Sequence, residues 1–234
     1  MPPPLEPRSP PIFRASHHEL ANSLTHGTGW LLSLFATFLL AKQVLPSGNL
    51  LLIVGCGLYL FSLLAVYAAS TLSHAVTNPR WKHRWWIWDQ GLIYLLIAGS
   101  YTGFGLPLLQ IPSNRWLLAV IWALALAGFF FKILRRRQND QTSTISYVAL
   151  AWVPILGVQS ATTLLPTSSL YWLFSGGLLY TSGVLFLLLD RRMPYFHALW
   201  HLLVMAGSIC HFIGIYQIVL SMLGAATETA GLDS

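Results

Sequence analysis

The hydrophobic residues of this chain fall into seven long blocks separated by short polar turns. Each block is about 20 residues long, the length an α-helix needs to cross the hydrocarbon core of a bilayer. The blocks lie at approximately 24–45, 50–73, 86–109, 115–134, 144–165, 170–189 and 198–222. This pattern predicts an all-α membrane protein with seven transmembrane helices.

Turn residues mark the breaks between the blocks, and the fifth block is itself interrupted by Pro154 and Gly157. Helix breakers of this kind are tolerated where neighbouring helices shield the backbone. We expect residues 16–223 to form the membrane domain, between a flexible Pro-rich tail at 1–15 and a short tail at 224–234. Ser16 and Glu19 have the spacing of a capping box. They predict a short helix along the cytoplasmic surface before the first span.

Charge gives the predicted orientation. Of the 13 Lys and Arg residues, all but Lys42 and Arg115 fall in the N-terminal segment or the second, fourth and sixth loops. The positive-inside rule therefore predicts a cytoplasmic N-terminus and, after seven spans, a C-terminus outside. Only 9% of residues are charged, 55% are hydrophobic and the mean hydropathy is +0.62. The same asymmetry explains the pI near 9.6, so we expect no nucleic-acid partner.

Three histidines are predicted to share one depth in the membrane. His197 and His201 are spaced i, i+4 at the start of the seventh span, and His74 closes the second span. All three therefore lie at the cytoplasmic boundary. Three imidazoles with one open position are the usual ligand set of a catalytic zinc. The alternative is that His197 and His201 are interfacial histidines without a metal.

Asp89 opens the third span at the same predicted depth. A carboxylate inside a span costs roughly 2.5–3.5 kcal/mol on insertion scales, so it usually has a partner and a function. The alternative is an interfacial acid favoured by the helix dipole. The His-x-x-x-His pattern lacks the Glu that follows the first His in zinc proteases, because Ala198 stands there. Asp89 is then the candidate base, acting through the zinc-bound water.

Ser70 lies one helical turn before His74 on the same face and is the second candidate catalytic residue. Its alternative role is a hydrogen bond to the backbone of its own helix. His211 follows His201 by ten residues, roughly 15 Å deeper along a helix, and we interpret it as a buried hydrogen-bonding residue. His26 has a permissive depth, but a fourth ligand there would close the open position.

Four segments carry a family resemblance: ELANSLTHGTG, STLSHA, WDQGLIYLLIAGSYT and FHALWHLLVMAGSICHF. In this order and spacing, the chain resembles the hemolysin III family of bacterial membrane proteins from Glu19 to Tyr216. It is more distantly similar to the progestin and adipoQ receptor family. The chain departs from the common pattern at Gln90, where the family commonly has His, and at Gly103, where it commonly has Pro.

The resemblance implies seven helices with a cytoplasmic N-terminus in the bacterial inner membrane. It also implies a Zn²⁺ ion bound by His74, His197 and His201, with water completing the site and Asp89 and Ser70 nearby. In the receptor branch this site is linked to ceramidase-like amide hydrolysis.

Three functions follow as hypotheses. The first is a zinc-dependent intramembrane hydrolase of an amide or ester bond in a lipid-like substrate that enters from the membrane lipids. The second is a seven-helix receptor or sensor with structural zinc. The third is a pore-forming cytolysin, although no amphipathic pore-forming segment stands out in the sequence.

Overall fold

The computed structural model describes residues 12–135, 140–190, 193 and 195–232. The helices are α1 Ile12–Val44, α2 Leu50–Ala75, α3 Pro79–Gly105, α4 Pro112–Arg135, α5 Asp140–Trp152, α6 Val158–Leu164, α7 Thr167–Leu189 and α8 Phe196–Leu232. Short 3₁₀ helices cover Leu45–Ser47, Leu106–Gln110 and Val153–Gly157. Within these described ranges the chain forms no β-strand.

Seven stretches of helix are long and apolar enough to cross a membrane, which confirms the predicted fold class. They are His17–Ser47, Leu50–Ala75, Pro79–Gln110, Pro112–Leu134, Ser143–Leu164, Thr167–Leu189 and Phe196–Ala225. Their ends differ from the predicted blocks by a few residues, because polar residues at the membrane boundary continue the helices. The orientation of the termini stays a prediction.

The start of α1 differs from the expected capping box. The helix begins at Ile12 and runs without a break to Val44, so Ser16 lies inside it rather than at its N-cap. Residues 1–11 of the predicted tail lie outside the described residues. At the other end of the chain, α8 continues to Leu232 through most of the segment expected to be a tail.

Asparagine caps begin the two helices that follow tight turns. The Asn49 side chain accepts hydrogen bonds from the backbone N–H groups of Leu51 and Leu52 at the start of α2. Asn78 does the same at the start of α3, where Pro79 occupies the first helical position. The turn before α2 places Gly48 at φ 61°, a left-handed conformation that glycine adopts without steric cost.

The fifth span is two short helices rather than one. Because Pro154 has no backbone N–H to donate, the chain passes from α5 through the 3₁₀ helix Val153–Gly157 into α6. Pro154 and Gly157 of this interrupted span line the cavity described below, whereas Ile155 and Leu156 between them are exposed on the outside of the bundle. Irregular membrane backbone is tolerated where it lines a cavity.

α3 is the most enclosed span and packs between α2 and α4, while α1 packs against α2 and α8, and α7 against α8. Glycines bring α3 close to its neighbours. A Cβ added at Gly99 would lie 2.4 Å from Ser62 Oγ of α2, and one at Gly103 would lie 2.6 Å from Ile215 of α8. This supports the small-residue packing typical of membrane helices.

Candidate metal centre and cavity

The structure brings the three predicted histidines together at one end of the bundle, here called the histidine end. One possible ligand atom from each of His74, His197 and His201 lies within 4.8 Å of the others. Zinc binds imidazole nitrogen at about 2.0–2.1 Å, so side chains gathered this closely are candidates for one shared ion. The three side chains could therefore hold a metal ion.

Each of the three imidazoles has an oxygen partner at Nδ1. His74 Nδ1 lies 2.8 Å from Glu19 Oε2, and His197 Nδ1 lies 2.9 Å from Asp190 Oδ2. A carboxylate only accepts hydrogen bonds, so each Nδ1 carries the hydrogen and donates it. The Nε2 atom of each ring then keeps its lone pair for a metal.

His201 has the same arrangement with a neutral partner. Its Nδ1 lies 3.1 Å from Thr25 Oγ1, and the Thr25 hydroxyl lies within 3.0 Å of the backbone oxygens of Ala21 and Asn22. The hydroxyl hydrogen goes to one of these carbonyls, so Thr25 Oγ1 accepts from His201 Nδ1. Partners of this kind orient metal-binding histidines and select their tautomer in known sites.

α1 therefore completes the site, which the sequence did not indicate. It supplies Glu19 and Thr25, and Asp190 comes from the end of α7. Glu19 also forms an ion pair with Lys82 of α3, 2.9 Å from Nζ to Oε2. The predicted capping box places Glu19 at the helix start, and no sequence pattern singles out Asp190. The periodicity of a single helix cannot indicate contacts of α1 with α2 and α8, or of the end of α7 with α8.

His26 is the fourth histidine of this layer. Its ring stacks on His201 with centroids 3.6 Å apart and meets the edge of Tyr67 at 5.1 Å. It is 5% exposed, and neither ring nitrogen has a hydrogen-bond partner. Since neutral imidazole carries one donor and one acceptor, His26 offers two unused hydrogen-bonding atoms beside the three-histidine cluster.

Asp89 and Ser70 lie at the same end of the bundle. Both line a cavity of about 700 Å³ together with His74, His197 and His201. Asp89 faces Ser70 and the His197 ring, while Ser70 Oγ makes no hydrogen bond of normal geometry. The alternative role of Ser70, a hydrogen bond to the backbone of α2, is not observed, and its hydroxyl lies beside Asp89 at the cavity wall.

The cavity continues from the histidine end towards the middle of the bundle between α2, α3, α5, α7 and α8, with mostly aliphatic and aromatic walls. Some lining residues are also open to the outside of the bundle: Ile155 beside α5 is 46% exposed and Leu188 of α7 is 52% exposed. His211 lines the deep part of the same cavity, and its Nε2 lies 3.3 Å from the Leu173 carbonyl oxygen.

A seven-helix membrane bundle with a clustered histidine site defines the class of protein, and sequence comparison supplies the family. The chain belongs to the haemolysin-III related family, whose model matches residues 14–212. It is 37% identical over 202 residues to Hemolysin-3 of Bacillus cereus, covering 86% of this chain and 92% of that protein. The predicted resemblance to the hemolysin III family is confirmed.

Two further relatives widen the comparison. The Hemolysin-3 homolog of Bacillus subtilis (strain 168) is 37% identical over 194 residues, which covers 83% of this chain and 91% of that protein. The human monocyte to macrophage differentiation factor is 30% identical over 169 residues, 68% of each chain. The chain is thus a multi-pass membrane protein of this family.

Proposed function

We propose that the protein is a zinc-dependent hydrolase that cleaves an amide or ester bond in a lipid-like substrate within the membrane. One observation carries the proposal: the three-histidine cluster and Asp89 lie at one end of a largely apolar cavity. A cavity with apolar walls and a few polar groups at one end is typical of a small-molecule site. Ile155 and Leu188 line the cavity and are also exposed on the outside of the bundle, which supports entry from the lipid phase.

His74, His197 and His201 would hold the ion through Nε2, because their Nδ1 atoms already have oxygen partners. A bound zinc would supply Lewis acidity and activate water for attack. Hydrolysis adds the water's hydroxyl group to the acyl carbon, and its remaining hydrogen goes to the leaving nitrogen or oxygen. In the proposed mechanism Asp89 accepts this hydrogen and then returns it to the leaving group.

Ser70 and His26 complete the proposed arrangement as donors to the acyl oxygen. Both nitrogens of His26 lack partners, the Ser70 hydroxyl lies beside Asp89, and both residues line the cavity. Neutral donors fixed in place before the reaction stabilise the negative charge that develops on an acyl oxygen.

Turnover of a panel of N-acyl and O-acyl lipids by zinc-loaded protein in nanodiscs tests this function. We expect the wild type to hold about one zinc and to release fatty acid, and Asp89→Asn to retain zinc while turnover falls by about 100-fold or more. The exposed His17→Ala variant is the matched control for a histidine outside the cluster. Wild-type rates in Asp89→Asn would remove Asp89 from the mechanism.

A receptor with structural zinc is the alternative that His26 favours, because its unpartnered ring stacks on His201. Four protein ligands would close the site, whereas catalysis needs an open position. X-ray absorption of the zinc-loaded protein separates the two. Three imidazoles and one light oxygen support the hydrolase. Four imidazoles that fall to three in His26→Phe support the receptor.

Cytolysis is a second candidate function, and it rests on the printed name of the Bacillus cereus relative. If this chain forms a pore, purified protein should release a trapped dye from liposomes at the same rate with and without a zinc chelator. No release from liposomes, with zinc-dependent turnover intact, would assign the function to hydrolysis instead.

A further inference from the structure

A second polar group lies deeper in the bundle than the histidine cluster, along the wall of the same cavity. It comprises Tyr67, Tyr180, Ser208 and His211, here called the deep polar group. Tyr67, Tyr180 and His211 line the cavity. His211 follows His201 on the unbroken helix α8 by ten residues, which corresponds to roughly 15 Å along the axis.

The hydroxyls of the deep polar group have one hydrogen more than they use. Tyr67 Oη donates to Ser208 Oγ at 2.8 Å, and Tyr180 Oη and Ser208 Oγ share a second bond at 2.7 Å. Three hydroxyls carry three hydrogens, and these two bonds use two of them. The hydrogen left over, on either Tyr180 or Ser208, is a donor without an acceptor.

His211 supplies the complementary acceptor. A carbonyl oxygen only accepts, so His211 donates from Nε2 to the Leu173 oxygen and keeps a lone pair on Nδ1. That nitrogen is buried without a partner, in a side chain only 9% exposed. The ring is fixed in place, because it lies against the backbone of Gly176 and edge-on to Phe104 and Tyr180.

An unpaired polar atom in a membrane bundle costs free energy, so the free donor and acceptor indicate a ligand. We propose that the deep polar group is a binding site for a hydroxyl group within the chain of a lipid whose acyl end lies at the histidine cluster. A hydroxyl both donates and accepts, so it matches His211 Nδ1 and the spare hydroxyl hydrogen together. This site deepens the proposed function by naming its substrate class, and it rests on that function for the position of the acyl end.

The distance between the histidine cluster and the deep polar group gives the expected position of the hydroxyl along the lipid's acyl chain. Ser208 and His211 lie roughly 10–15 Å deeper than His201 along α8. An extended chain advances about 1.2 Å per bond, from 3.6 Å for the three bonds of a residue, so roughly 8–12 bonds separate the acyl carbon from the hydroxyl. A mid-chain hydroxy fatty acid fits, whereas a hydroxyl close to the carboxyl group does not.

Displacement of a fluorescent fatty acid from the zinc-loaded protein in detergent tests the site. The probes are positional isomers of hydroxypalmitic acid, with the hydroxyl near the third carbon or near the tenth, compared at equal free concentrations so that differences in micelle partitioning do not contribute. We expect the mid-chain isomer to bind about 3- to 10-fold more tightly, the effect of satisfying one buried hydrogen-bonding group. His211→Leu should abolish this preference, and His211→Gln, which keeps an acceptor, should restore part of it.

Thr181→Val is the matched control, because the Thr181 hydroxyl also lies on the cavity wall but already donates to the Gly177 oxygen at 2.7 Å. It should keep the isomer preference. Equal binding of all isomers to the wild type, or a preference unchanged in His211→Leu, would overturn the deep site. Either result leaves hydrolysis intact. If the wild type prefers the mid-chain isomer but hydrolyses no lipid substrate, the proposed hydrolase is contradicted and the deep binding site is not.

Discussion

The three clustered histidines and the deep polar group differ in how completely their polar atoms are satisfied. At the histidine end, His74, His197 and His201 each have an oxygen partner at Nδ1. In the deep polar group, His211 Nδ1 and one hydroxyl hydrogen have none. The ring orientations of the first region are therefore fixed in a way that suits the proposed metal ion, and the second region suits a polar group that arrives with a ligand.

Loss of a proposed zinc ligand is expected to give the largest difference between the two regions. We expect His201→Ala to weaken zinc binding by more than about 100-fold, because loss of an outer partner alone costs about 10–100-fold. His211→Leu, ten residues away on the same helix, should retain zinc within about twofold of the wild type. Zinc content measured at several free zinc concentrations, with helicity by circular dichroism, checks both variants. Equal zinc loss in both would show that the two regions are not distinct.

The carboxylates behind the cluster are expected to give the next largest effect. Glu19→Gln and Asp190→Asn each replace an acceptor that holds a histidine Nδ1–H, so zinc affinity should fall by about 10–100-fold. Lys82→Met is the control, because it removes only the half-exposed ion pair to Glu19. A pair this exposed to solvent should change affinity by about fivefold at most. An unchanged zinc affinity in both carboxylate variants would show that Glu19 and Asp190 do not orient His74 and His197 for metal binding.

The sequence was sufficient for the parts of the site that lie along single helices. Apolar blocks about 20 residues long predict the membrane spans. The i, i+4 spacing of His197 and His201 places both rings on one face of α8. Span direction then puts His74 at the same end. Each of these steps uses a local pattern and the thickness of a bilayer.

The contacts that support the cluster depend on packing between helices. Glu19 and His74 lie 55 residues apart in the chain, and their contact requires α1 to pack on α2. Helical periodicity also cannot predict that both ring nitrogens of His26 lack hydrogen-bond partners, because this depends on the side chains that neighbouring helices pack around the ring. For His211 the prediction of a buried hydrogen-bonding residue agrees with its contact to Leu173, but the free Nδ1 needed the structure.

The smallest expected effect on zinc affinity comes from a single hydroxyl group. It distinguishes a hydroxyl that contacts the histidine cluster from one that contacts only the backbone of its own helix. Thr25 and Thr28 are neighbours on α1, and both hydroxyls approach backbone oxygens of that helix, but only Thr25 Oγ1 also reaches His201 Nδ1. Thr25→Val should weaken zinc binding by about 2- to 10-fold, the usual value of one neutral hydrogen bond. Thr28→Val removes a hydroxyl of the same kind and should leave affinity unchanged. Similar zinc affinities in the two variants would mean that packing against His26, rather than Thr25, orients the His201 ring.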